Sequence, residues 1–137
     1  MRKTTHEIID EIAAHYNLGN RSIMGEKALV DGKMVDLCVY NGIDRRHCAF
    51  AYMMIDPSII KKEDEKNTCY VIIDHYAYSD ADLILKEEFR GYDTKFYRSI
   101  QMLHDQEEHW TNEGLSELGK EYVKQIKIDY PSSTPHD

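Results

Sequence analysis

The chain has 137 residues, of which 42% are hydrophobic and 31% charged, and its formal net charge is −8 at pH 7. This length suits one domain with a buried core, the apolar content excludes a disordered chain, and no run approaches the roughly 20 apolar residues of a membrane helix. The negative charge disfavours nucleic-acid binding and leaves three explanations open, namely solubility, docking on a basic partner, and a local basic pocket for a small anion.

The first predicted element is a helix over residues 5–17. Thr4 and Glu7 stand three residues apart, as in a capping box, and apolar residues then recur at helical spacing. Gly19 marks the end of the pattern, because glycine commonly follows the last turn of a helix.

A predicted β-hairpin follows, in which an Asp-Gly turn separates the runs 27–30 and 34–40. The apolar run 47–55 is predicted as a third strand, with a buried helix as the rival interpretation. Residues 61–67 are predicted to be a charged, solvated loop, and the pattern of residues 69–78 fits a strand or a helix equally well.

The C-terminal half is predicted to be helical. Cap residues and helical spacing indicate helices over 79–89, 94–107 and 113–126. The sequence therefore predicts an α+β fold with an N-terminal helix, a small antiparallel sheet and a helical C-terminal half, in one domain over 1–130. Residues 131–137 are predicted to be a flexible tail.

The cysteines are predicted to be free thiols. Cys38, Cys48 and Cys69 are an odd number, and no Cys-x-x-Cys pair accompanies His47. We therefore expect buried apolar thiols, no metal and no cofactor, in a cytoplasmic protein.

No short catalytic signature occurs, so the sequence assigns no catalytic residue. His104 and Glu108 are four residues apart with Asp105 between them, a spacing that suits a metal site or an acid/base pair. A solvated pair or a hydrogen bond between helices explains the same spacing and is favoured. Trp110 anchors the junction of two helices or presents its ring to stack a base.

The sharpest candidate site is basic. Arg45 and Arg46 form the one concentrated basic spot in a predicted loop, and Arg21 and Tyr40 add a further donor and a stacking surface for a phosphate-bearing ligand. Pairing of these arginines with the many carboxylates of the chain is the alternative. The predicted ligand-binding residues are Arg21, Ser22, Tyr40, Arg45, Arg46 and Trp110.

Three features, taken in order, resemble a known family. They are Arg21-Ser22, the Cys-Val-Tyr-Asn-Gly run that leads to Cys48-Ala49, and Leu-His-Asp at 103–105 followed by Trp110. They are similar to motifs of a widespread family of short phage and prophage proteins with a Cys-x-Tyr-x-Gly…Cys-Ala-x-Gly segment and a late Leu-Gln-x-x-His-Asp helix. The resemblance implies a phage setting and a common fold, and no particular reaction.

The leading hypothesis is a phage-encoded binding protein that counters host defence by sequestering a nucleotide-type immune signal in the host cytoplasm. A symmetric homo-oligomer is expected by analogy with such proteins. Two alternatives are a small hydrolase, with or without a metal, that uses His104 with Asp105 or Glu108, and an acidic protein that docks on and inhibits a host defence protein.

Overall fold

The computed structural model describes residues 2–21, 23–30, 32–38, 48–56 and 85–132. The predicted α+β fold, with its N-terminal helix, small antiparallel sheet and helical C-terminal half, is confirmed. The elements within the described ranges are α1 (Thr5–His15), β1 (Ile23–Val30), β2 (Lys33–Cys38), α2 (Ala49–Tyr52), α3 (Thr94–Asp105), β3 (Trp110–Thr111), β4 (Gly114–Leu115) and α4 (Glu117–Asp129), with 3₁₀ turns at Glu87–Phe89 and Glu107–His109.

Helix α1 begins with the predicted capping box. The Glu7 amide donates to the Thr4 side chain at 3.1 Å, and the Thr4 amide donates to the Glu7 carboxylate at 3.0 Å. Ile8, Ile9 and Ile12 are fully buried, so the apolar face of α1 lies in the core. The helix ends earlier than predicted because the backbone of the residue after His15 is extended.

Strands β1 and β2 form the predicted antiparallel hairpin. Their register pairs Val30 with Lys33 at the turn and Ile23 with Cys38 at the open end. Gly32 has a φ of 80°, which suits glycine at this turn. Strand β1 begins before the predicted run, and β2 lies against α3.

The predicted third strand over 47–55 is wrong, because this run contains the one-turn helix α2. Cys48, Ala49, Phe50 and Ala51 are all buried, whereas a half-buried strand would alternate. Consecutive burial is what the rival interpretation, a buried helix, predicts.

The described part of the predicted helix over 79–89 contains no α-helix, although Glu87–Phe89 form a 3₁₀ turn. Leu85 forms an isolated antiparallel bridge with Met54, and the Lys86 amide donates to the Met53 carbonyl at 2.8 Å. A backbone paired with another segment cannot make helical bonds along itself. Residues 79–84, the predicted loop 61–67, the ambiguous run 69–78 and most of the predicted tail (133–137) lie outside the described residues.

Helix α3 begins where the predicted range 94–107 begins and ends two residues earlier. Its N-cap is Asp93, whose carboxylate accepts from the Phe96 amide at 3.2 Å. The helix ends at Asp105, so Glu107 belongs to the following 3₁₀ turn.

The last predicted helix starts later than expected, because a short hairpin precedes it. Strands β3 and β4 pair Trp110 with Leu115. Helix α4 then begins at the N-cap Ser116, whose hydroxyl accepts from the Gly119 amide at 3.0 Å. Gly119 lies directly against the His109 carbonyl, so the start of α4 packs on the 3₁₀ turn.

Helices α1, α3 and α4 pack together around the core. The start of α1 is also bonded to the end of α4, because the Thr5 hydroxyl lies 3.2 Å from the carbonyls of Tyr130 and Pro131. His6 Nε2 donates to the Lys127 carbonyl at 3.0 Å. In the described part of the chain, no helix has the length and apolar character needed to cross a membrane.

Candidate functional site

Three polar side chains share a buried face of α3. Gln101, His104 and Asp105 stand at positions i, i+3 and i+4, which brings them together on one side of the helix. Asp105 Oδ1 lies 2.6 Å from His104 Nδ1 and accepts from Gln101 Nε2 at 2.8 Å. All three are at most 1% exposed. We call this group the α3 polar cluster.

The α3 polar cluster is bonded to two other parts of the chain. The Phe50 amide in α2 donates to Gln101 Oε1 at 2.9 Å. Arg21 Nη1 donates to the main-chain carbonyl of His104 at 3.2 Å. Buried polar groups are stable only when they are hydrogen-bonded. These bonds satisfy buried polar groups of α3 and join α3 to α2 and to Arg21.

Aromatic rings enclose the α3 polar cluster. Tyr16 meets the His104 ring edge-on at a centroid distance of 4.8 Å and the Trp110 ring at 6.1 Å. Burial raises the pKa of Tyr16 well above its usual value, and nearby Cys48 and Asp105 raise it further. The phenol of Tyr16 therefore stays neutral at physiological pH.

Two of the predicted ligand-binding residues lie inside the fold. Arg21 and Trp110 are each 4% exposed. Trp110 Nε1 donates to the Leu103 carbonyl at 2.9 Å, which joins α3 to β3. The structure thus places both side chains beside the α3 polar cluster. The other four predicted residues, Ser22, Tyr40, Arg45 and Arg46, lie outside the described residues, so their predicted role stays a prediction.

The predicted grouping of His104 with Glu108 is wrong, whereas His104 and Asp105 do come together. Helix α3 ends at Asp105, so the helical spacing that would align Glu108 with His104 is lost, and Glu108 is exposed. Among the residues that the structure describes, no three histidine, cysteine, aspartate or glutamate side chains are grouped as a metal site.

Sequence reasoning missed Gln101 and Tyr16. A signal for Gln101 was available, because a glutamine four residues before an aspartate on an otherwise apolar helix face suggests a buried pair. Tyr16 carried no such signal, since its place beside His104 depends on how α1 packs against α3.

These features define a small α+β protein whose helix α3 carries a buried polar cluster bonded to two distant parts of the chain. Comparisons of the chain with protein-family models, with curated proteins and with solved structures find no match. Its function is therefore inferred from the chemistry of its own residues.

Proposed function

We propose that this protein is a phage-encoded binding protein that acts in the host cytoplasm and sequesters a nucleotide-type immune signal without transforming it. In this proposal Arg45 and Arg46 hold the phosphates, Tyr40 stacks on the base and Ser22 adds a hydrogen bond. Guanidinium groups bind phosphate oxygens in pairs, and every base offers a face for stacking.

The observation that carries the proposal is the register of the hairpin. Ile23 stands opposite Cys38, so the chain enters β1 and leaves β2 at the same end of the hairpin. Ser22 immediately precedes this end and Tyr40 follows it by two residues. This supports the proposal because the chain segments that carry Ser22 and Tyr40 begin at the same end of the hairpin, although the two residues are distant in the sequence.

The surroundings of that point also support the proposal. Arg21, which precedes Ser22, is bonded to the His104 carbonyl, and Cys48, two residues after Arg46, is buried in the core. In this proposal Arg21 and Trp110 do not touch the ligand, because both side chains are buried. The net charge of −8 is compatible with this role, since it repels long polyanions while a local basic spot still attracts a small one.

The test is a thermal-shift screen of purified protein against cyclic dinucleotides, cyclic trinucleotides and ADP-ribose derivatives. A ligand present at 100 times its Kd should add about 2.7 kcal/mol of stability. The nucleotide that stabilises the protein should be recovered chemically unchanged. Arg45→Ala and Arg46→Ala should abolish the shift, while Lys124→Ala, which removes one exposed positive charge from α4, should retain it.

Three outcomes would contradict the proposal. A screen in which no nucleotide stabilises the protein rejects the function. A shift that survives both arginine substitutions rejects the site. Recovery of a hydrolysed nucleotide would show that the protein catalyses a reaction and does not merely sequester its ligand.

A hydrolase is the second candidate, and the contact between His104 and Asp105 favours it. An aspartate that holds one nitrogen of an imidazole leaves the other nitrogen to act as a base. If the recovered nucleotide is hydrolysed by the wild type and unchanged by His104→Gln, this second candidate is correct.

A further inference from the structure

Helix α4 exposes two large apolar side chains on the side away from the core. Leu118 is 52% exposed and Ile128 is 63% exposed, whereas Gly119 and Ile126 on the inner side of the helix are buried. Single exposed apolar residues are ordinary on protein surfaces. What matters is therefore how these two residues are arranged along α4.

Two exposed polar residues stand between them on the same face of the helix. The spacings are three, four and three residues, which align side chains along one face, as in a coiled coil. The four residues, which we call the α4 stripe, are Leu118, Glu121, Gln125 and Ile128. The α4 stripe has an apolar residue at each end and two polar residues in the middle, in either direction along the helix.

A second copy of the chain that lies antiparallel across the α4 stripe meets a complementary surface. Leu118 then faces Ile128 of the second copy and Glu121 faces Gln125 of the second copy, because both pairs are centred on position 123. Lys124 is one position from this centre, on the same flank as Glu121. Its ammonium group therefore comes beside the Glu121 carboxylate of the second copy. Two-fold symmetry makes each of these contacts twice.

The charge of α4 also suits a second copy. The chain carries a net charge of −8, so two copies repel each other overall. Helix α4 has three acidic and three basic residues and is neutral, whereas α1 has three acidic residues and no lysine or arginine. Copies that meet along α4 therefore reduce this repulsion and gain the pairing of Lys124 with Glu121.

We propose that the protein forms a symmetric antiparallel dimer through the α4 stripe. Helix α4 has 13 residues and is about 20 Å long, so the contact buries less than about 1,000 Å² and belongs to the weak class of interfaces. Dilute protein is therefore monomeric, and dimers form as its concentration rises. The inference is independent of the proposed nucleotide ligand, since it uses no residue of that site.

Sedimentation equilibrium of the full chain tests the dimer. Between about 5 and about 500 μM, the average mass of the wild type should rise from that of a monomer toward that of a dimer. Leu118→Glu, which puts a charge into each apolar end contact, should weaken the association about tenfold or more. The matched control is Leu29→Glu on β1, because Leu29 is 68% exposed and the added charge is the same. This control should associate as the wild type does.

Paired charge reversals test the antiparallel arrangement. Glu121→Lys alone brings two lysines together and Lys124→Glu alone brings two glutamates together, so each variant should associate less than the wild type. An equal mixture of the two variants restores both pairs of opposite charge. Its average mass should exceed that of either variant alone at the same total concentration. The same reversals at Glu113 and Lys120, exposed residues off the α4 stripe, should show no such gain.

Each measurement has a result that would overturn the proposal. If the wild type stays monomeric at the highest concentration, the exposed face of α4 does not bind a second copy. If Leu118→Glu associates as well as the wild type, the copies meet through another surface. If the mass of the mixture is only the mean of the two charge-reversed variants, Glu121 and Lys124 do not pair between copies.

Discussion

One carboxylate, that of Asp105, connects the buried polar side chains of α3. Its Oδ1 atom accepts from Gln101 and contacts the His104 ring, and the side chain is almost completely buried. A buried carboxylate is tolerated when such partners replace its water shell. The same bonds make each member of the α3 polar cluster depend on the others.

Asp105→Ala should therefore lower the free energy of unfolding by about 2–4 kcal/mol. The substitution leaves Gln101 Nε2 and His104 Nδ1 buried without their shared acceptor, and this desolvation cost dominates. Urea denaturation measures the change. Asp129→Ala, which removes an exposed carboxylate bonded to Gln125, should stay within about 0.5 kcal/mol of the wild type. Equal losses in the two variants would contradict the prediction.

At the scale of single residues, the sequence predicted part of the α3 polar cluster. His104 and Asp105 stood out because a histidine beside an acid carries recognisable chemistry. Glu108 was wrongly joined to them, since sequence spacing does not show that the helix ends at Asp105. Gln101 was missed although its spacing to Asp105 was a local signal, whereas its bond to the Phe50 amide is a tertiary contact that no local pattern encodes.

At the scale of secondary-structure elements, the longer elements were the ones that the sequence predicted. Helices α1, α3 and α4 each run for 11 residues or more, and their apolar spacing and cap residues made them visible in the sequence. Helix α2 and the hairpin of β3 and β4 are too short to show a period. Bonds to other segments support them, such as the one from Phe50 to Gln101.

The junction between the 3₁₀ turn and α4 depends on Gly119. A Cβ at this position would overlap the His109 carbonyl and come within 2.9 Å of the Leu115 side chain. Alanine is favoured over glycine in a helix by about 1 kcal/mol. Because the overlapping atom belongs to the backbone and cannot move aside cheaply, we expect the clash to outweigh that preference.

Gly119→Ala should thus destabilise the protein by about 1–3 kcal/mol in chemical denaturation. Glu121→Ala, an exposed position on the same helix, reports the effect of alanine without the clash and should be neutral or slightly stabilising. A Gly119→Ala protein as stable as the wild type would show that α4 and the 3₁₀ turn are less closely packed than described.

At the scale of the whole molecule, a group of tyrosines lowers stability at alkaline pH. Burial raises the pKa of every member of a group of five tyrosines. The folded chain therefore keeps these phenolic protons at a pH where the unfolded chain loses them. Stability is unaffected below the unfolded pKa of about 10 and falls as the pH rises above it. The five are Tyr16, Tyr52, Tyr92, Tyr122 and Tyr130.

Tyr122 provides the test. Its hydroxyl donates to the Ser99 carbonyl at 3.1 Å, and its ring stacks on His109. Because Tyr122 is largely buried, it steepens the fall in unfolding free energy by up to about 1.4 kcal/mol per pH unit. Urea denaturation between about pH 8 and pH 11.5 should give a shallower slope for Tyr122→Phe than for the wild type. Identical slopes, or stability that rises above pH 10, would contradict this account.

The bonds between the start of α1 and the end of α4 have a consequence for biosynthesis. Thr5 and His6 leave the ribosome before the carbonyls of Lys127 and Tyr130 that they bind are synthesised. Until α4 emerges, a nascent chain leaves the isoleucines of α1 incompletely covered. Native packing of α1 is therefore completed only after α4 has been synthesised, and chaperones that recognise exposed apolar surface have the intervening time to bind.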